Sequence, residues 1–282
     1  MPDYSVRARL RASAALTLSG HVLSKEAGVN SVLPHWFLRV RSPSVDLTLA
    51  YGNNTVQPYE VLHTFRQRAR GTRGYGLTLA FFSDLHVLRL FSGGKATPVP
   101  LPGTWRAGRI LKAFRSASAR VQAILSSPTE RLELKTELLL RATVDGLSVI
   151  GNHDEATVAW SSRIENGTIQ IQVDDNPDLQ ATIVKAANPG RDGMAAGRRS
   201  GYPAFRSLWG PSAAGPQTAG PPRARLVFAD TETAHGVLTG TVKAGEALAD
   251  GRIRIRGRLP MIQNLFPLMD RLSELMKTEV PG

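Results

Sequence analysis

The chain has 282 residues, of which 42% are hydrophobic, with no cysteine and a formal net charge of +12. That length allows one large domain or two ordinary ones, each with its own core. No apolar run approaches the roughly 18 residues of a membrane-spanning helix, and the lack of cysteine excludes disulfides, thiolate ligands and a thiol nucleophile. The charge is one-sided: residues 1–127 carry 17 Lys and Arg against 5 Asp and Glu, while residues 128–282 carry 18 of each. All the excess therefore lies in the first half, where it suits an acidic partner or an anionic surface, or serves solubility alone.

The first dozen residues are rich in arginine, with Asp3 the one acid among them. No small-residue cleavage site follows an apolar core, so they read as an amphipathic helix of the mature protein and not as a targeting peptide. Residues 37–50 form two alternating strands around a polar turn with a proline, a hairpin signal. Residues 77–84 read as a strand running into an acidic helix start. Residues 94–102 hold Pro98, Pro100 and Pro102, which demote them to an edge strand or a loop. Residues 105–125 are helical, with Ile110, Phe114, Val121 and Leu125 as the apolar stripe and Arg106, Arg109, Lys112 and Arg115 around the polar side. A second basic run holds Arg66, Arg68 and Arg70, but no row of aromatics and no recognised motif frames it, which disfavours nucleic acid.

In the second half, residues 130–142 are helix-compatible, with Leu134, Leu138 and Arg141 about one turn apart. Residues 147–150 and 156–160 read as short strand or helix pieces, and residues 163–167 as a turn into another alternating hairpin over 169–184. Residues 188–222 are rich in Gly, Pro, Ala and Arg and too long for an ordinary connection, so a lid or disorder is expected, anchored by Tyr202, Phe205, Leu208 and Trp209. A short strand at 226–228 meets a helix start, and a second short helix covers 244–248. Residues 251–257 alternate strictly, with Ile253 and Ile255 on one face and arginines on the other. Pro260 then suits the start of a closing apolar helix, which Pro267 kinks or restarts.

The halves echo each other. The hairpins correspond, 77–84 parallels 226–230, 94–102 parallels 251–260, and a helical stretch follows each. The period suits duplicated domains better than a solenoid. The first copy departs from the pattern, since it has no counterpart of 241–249 and has prolines where a strand should pair.

Catalytic signatures are scarce. There is no phosphate-binding glycine loop, dinucleotide fingerprint or nucleophile elbow, and the six histidines are scattered. The cluster of His153, Asp154 and Glu155 reads as a solvated turn, and Asp174, Asp175 and Asn176 as a polar hairpin turn. Asp84 and Asp230 follow matching strands, where a carboxylate caps a helix. No metal and no cofactor is expected.

The order of elements from Leu226 to Phe266 resembles the C-terminal half of the sterol carrier protein type 2 family, and the resemblance extends over about 130–277. It implies an α+β fold with a mainly antiparallel twisted sheet and helices on one face. With the internal echo it implies two such domains in tandem: a basic, degenerate one at 1–127 and a second at 128–282 with an insertion at 188–222. It also implies a hollow for an apolar ligand such as a sterol, fatty acyl chain, isoprenoid or polyketide. The expected lining is Phe228, Val237, Leu238, Leu259, Met261, Ile262, Leu265, Phe266, Met269 and Leu272. The methionines suit an adaptable pocket. Arg66, Arg68, Arg70, Arg106, Arg109, Lys112 and Arg115 are expected to dock the protein to an anionic membrane or an acidic protein. The expected location is the cytoplasm, with peripheral membrane attachment. The alternative is a cyclase or isomerase using the same hollow, with Asp84, His153, Asp154 or Asp230 as its acid.

Overall fold

Two hairpins, built from strands whose apolar residues recur at every second position, sit at the centres of two sheets. A computed structural model describes residues 4–25, 35–52, 55–58, 75–92, 94, 96, 99–100, 107–128, 131–186, 205–209 and 221–277. The chain divides into two compact units, Met1–Thr129 with Leu275–Gly282, and Glu130–Glu274.

The first unit runs α1 (Tyr4–Lys25), β1 (His35–Arg41), β2 (Asp46–Gly52), β3 (Thr55–Pro58), β4 (Tyr75–Ala80), α2 (Asp84–Phe91), β5 (Val99–Pro100) and α3 (Ala107–Ser126). Its sheet has the order β3-β2-β1-β4-β5. Only β1 and β4 are parallel; the other three pairings are antiparallel. Leu38 stands opposite Leu49 and Leu77, and Val40 opposite Leu47 and Leu79. This apolar ladder is almost wholly buried, and α3 packs on β4 and β1. On the other face Arg39 forms an ion pair with Asp46.

Two expectations for this unit need correction. The N-terminal helix extends well beyond the first dozen residues that mark it in the sequence. It has 22 residues, and everything from Leu16 to Leu23 is buried, because α2, α3, β2 and β3 pack around it. The stripe of α3 ends on Ile124 and not on Leu125: Ile110, Phe114, Ala117, Val121 and Ile124 are buried, while Leu125 is 38% exposed. Steps of four, three, four and three residues keep to one face at 3.6 residues per turn.

The second unit begins with α4 (Leu132–His153), a 3₁₀ turn (Glu155–Thr157) and α5 (Val158–Arg163). It continues with β6 (Gly167–Val173), β7 (Asn176–Lys185), β8 (Phe205–Trp209), β9 (Ala224–Phe228), α6 (Thr231–Thr239), α7 (Ala244–Ala249) and β10 (Ile253–Gly257). The closing helices are α8 (Leu259–Gln263) and α9 (Phe266–Lys277). The sheet order is β10-β9-β6-β7-β8. Again the first hairpin strand, β6, pairs parallel with a later strand, β9, and the remaining pairings are antiparallel. Both sheets thus follow one plan, in a mixed α+β chain.

Residues 147–150 are not a separate piece. They continue α4, whose second half is buried and so shows no polar face to the eye. Of the segment 188–222, residues 188–204 and 210–220 lie outside the described residues. Its Phe205–Trp209 form β8, which pairs antiparallel with β7, so this part is a strand and neither lid nor disorder. Tyr202 lies outside the described residues.

Candidate functional site

The inner face of the second sheet is a set of cross-strand apolar rows. Ile169 stands opposite Ile183 and Ala224, Ile171 opposite Ala181 and Leu226, and Phe228 opposite Val173 and Ile253. All of these are buried. Alternation makes this one face, since successive side chains of a strand point opposite ways.

Helix α8 packs on β9 and β10. Pro260 lies in its first turn, where a missing N–H costs nothing. Met261, Ile262 and Leu265 are at most 1% exposed. Helix α9 restarts at Phe266–Pro267 and buries Leu268 and Leu272. Leu272 lies against Gly146 of α4, where a Cβ would come within 2.8 Å of the leucine Cδ1. Gly151 makes the same allowance for the Phe205 ring, also at 2.8 Å. These two glycines let helix and strand side chains pack directly on the α4 backbone.

Among the expected lining residues, Phe228, Met261, Ile262, Leu265 and Leu272 are buried. Val237 and Leu238 on α6, and Phe266 and Met269 on α9, are half-buried, leaving apolar surface uncovered on two helices that both touch α4. Leu259 departs from the set: it is the first residue of α8 and 46% exposed, so it belongs to the surface. Sequence reasoning did not single out the two α4 glycines or the isoleucine rows, which register alone brings together.

It also missed a polar string between α4 and β8. Arg141 pairs with Glu137 at 3.1 Å and lies over the Trp209 indole, 4.6 Å from its centroid. Burial pushes the guanidinium pKa down, and the charge of Glu137, its hydrogen bond and the charge of Asp145 act against that. Ser207 Oγ donates to Asp145 Oδ1. The Asn152 amide exchanges two hydrogen bonds with the Phe205 backbone, both 2.9 Å. Lys185 Nζ donates to the carbonyl of Ser161 at 2.6 Å and to that of Ile164, closing the C-terminal end of α5. Burial lowers its pKa.

The candidate acids hold structure together. Asp230 caps α6, accepting from Thr233 N at 2.7 Å, and Asp175 accepts from Thr231 N at 3.0 Å. In the first unit the cap of α2 is Ser83 and not Asp84. Asp84 instead accepts from the Ser42 and Ser44 hydroxyls. Asp154 is buried and bonded to Arg271 at 3.0 Å, and His153 is exposed at the end of α4. Among the described residues no group of three or more His, Asp or Glu could hold a metal ion.

Of the expected docking residues, Arg109, Lys112 and Arg115 are exposed on α3. Arg66, Arg68, Arg70 and Arg106 lie outside the described residues. No described helix is long and apolar enough to cross a membrane.

No family model matches the chain, and no curated protein matches it. Among solved structures it is similar to the sterol carrier protein domain 2 of Helicoverpa armigera, determined in solution. The two share 14% identity at a TM-score of 0.31, covering 55% of this chain and 96% of that one. A likeness that low does not define the fold by itself.

Proposed function

We propose that the chain is a carrier for an apolar ligand, a sterol, fatty acyl chain, isoprenoid or polyketide, held in the second unit between the inner sheet face and helices α4, α6, α8 and α9. The observation that carries this reading is the uncovered apolar surface of Val237, Leu238, Phe266 and Met269, on helices that bury Ala234, Leu268, Leu272 and Leu275. Covering such surface with a ligand stabilises the complex by about 25 cal/mol per Å². The contributing residues are Phe228, Met261, Ile262, Leu265 and Leu272 from the interior and the four half-buried ones at the rim. The shared strand order supports reading the two units as tandem copies of one sterol-carrier-like fold. The exposed Arg109, Lys112 and Arg115 would dock the first copy to an anionic membrane or an acidic protein.

A carrier fits better than a cyclase or isomerase, because Asp84, Asp154 and Asp230 are each committed to a cap, a loop or an ion pair. The test is titration of delipidated protein with a fluorescent fatty acid and a fluorescent sterol. Saturable binding at one site, lost in Met269→Asp, is expected. Absence of saturable binding to both probes, with no lipid retained in native mass spectrometry of fresh protein, would overturn the carrier reading.

A further inference from the structure

The outer face of the second sheet carries a feature that the charge balance of the halves conceals. Strands β9 and β10 are antiparallel, with Arg256 directly opposite Arg225 and Arg254 opposite Val227. The Arg258 N–H donates to the Arg223 carbonyl at 2.9 Å, which brings a second pair of arginines together. Arg223, Arg225, Arg252, Arg254, Arg256 and Arg258 therefore crowd a two-stranded ribbon. Their inward-facing neighbours, Leu226, Phe228 and Ile253, are buried.

Carboxylates answer only part of this charge. Arg223 and Arg258 share Glu165, Arg254 pairs with Asp174, and Arg252 pairs with Asp250 at 2.9 Å. Among the described residues Arg225 and Arg256 have no acidic partner. Like charges directly opposite on neighbouring strands, with Cβ atoms about 5 Å apart, repel each other. An anion between them removes that repulsion, and two guanidinium forks at this spacing suit a phosphate oxyanion.

Apolar side chains flank the ribbon. Leu248, near the end of α7, which packs on β10, is 40% exposed, and Leu259, two residues beyond β10, is 46% exposed. Arginines on a strand, with exposed leucines on the helices before and after it, match the chemistry of a bilayer surface, with phosphate outside and hydrocarbon beneath. A surface for single-stranded nucleic acid would call for stacking aromatics, and the residues beside the ladder on this side of the sheet are the half-buried Gln170 and Gln172 and the buried Val227. We propose that the β9–β10 arginine ladder, centred on Arg225 and Arg256 and flanked by Leu248 and Leu259, is a docking face for an anionic phospholipid membrane.

The test is co-sedimentation of the full chain with vesicles of phosphatidylglycerol and phosphatidylcholine in equal parts, against vesicles of phosphatidylcholine alone. Wild type binds the anionic vesicles and loses affinity as salt rises. Arg225→Gln with Arg256→Gln weakens binding roughly 25-fold, about fivefold per arginine, with thermal melting unchanged or raised because a repulsive pair is gone. Arg225→Lys with Arg256→Lys keeps most of the binding. Leu259→Ser weakens binding without changing its salt dependence. Should the double glutamine variant melt early, Arg256→Gln alone at its exposed position gives the same readout at about fivefold. Undiminished vesicle binding by the glutamine variants overturns the proposal. So does tighter binding of wild type to a DNA duplex or to polyglutamate than to the vesicles at equal salt. The face needs no ligand pocket: protein that binds vesicles through the ladder but takes up no fatty acid sinks the carrier reading and leaves this one standing.

Discussion

The two units lay five strands in one order but close their sheets differently. In the first, β5 is described at Val99–Pro100, where the proline cannot donate to the ladder, and the next described element is the single helix α3. In the second, β10 is a full five-residue strand, and the closing element is broken into α8 and α9. Helix α3 buries a single narrow stripe and turns its basic residues outward. The broken pair buries Met261, Ile262, Leu265, Leu268 and Leu272 and leaves Phe266 and Met269 partly bare. One strand plan thus supports a plain amphipathic cover in one case and a broad, adaptable apolar cover in the other. The difference lies in where the prolines fall.

The largest test of that difference is at Gly257. Its φ is +84°, and a Cβ there would lie 2.2 Å from the Arg223 carbonyl oxygen, a backbone clash that cannot relax by rotating a side chain. Gly257→Ala should cost about 3 kcal/mol in urea denaturation, from left-handed strain and the lost β10 register together. Nearly as large, Ile262→Ala in α8 and Ile124→Ala in α3 should each cost about 3 kcal/mol, since both are buried. Leu125→Ala and Leu259→Ala should stay within about 0.5 kcal/mol. Equal losses at Ile124 and Leu125 would break the narrow-stripe description of α3.

Asn152→Ala should cost about 2 kcal/mol, because it leaves both the N–H and the C=O of Phe205 without their partner. Faster hydrogen exchange at the Phe205 amide would localise the effect to β8. Smallest, Ser83→Ala and Asp230→Ala should each cost about 1 kcal/mol as matching helix caps. Faster exchange in the first turn of α2 or α6 respectively would show that the two caps do the same work in the two units.

What could be read from the sequence follows the reach of each signal. The hairpins β1–β2 and β6–β7, the strand β10 and the proline-punctuated helices α8 and α9 all declare themselves over a few residues, through period two, period 3.6 or proline. The second half of α1 and residues 147–150 of α4 were illegible for the opposite reason: a helix buried on every side has no polar face to set its period. Strand β8 was hidden in a Gly/Pro-rich stretch, because its five residues, FRSLW, alternate too briefly to announce a strand. The parallel junctions β1–β4 and β6–β9 join residues far apart in sequence, which local patterning cannot reveal. The site shared this division. The apolar residues of the closing helices were visible, but the glycines of α4, the Arg141–Trp209 contact and the facing of Arg225 on Arg256 depend on register and packing. The exposure of Leu259 was equally hidden, because an apolar residue beside a buried run looks the same in sequence whether it is covered or not.

The last strand of each sheet is also its margin, β5 in one and β10 in the other. An unpaired margin invites a second chain to add its own strand, the first step of edge-to-edge aggregation. Proline dulls that invitation in the first unit by withholding a donor. In the second, a comb of arginines does so by repulsion, because a like strand laid alongside would bring its own positive row. Neutralising Arg254 and Arg256 therefore carries a hazard separate from any loss of binding: the protein becomes freer to stick to itself.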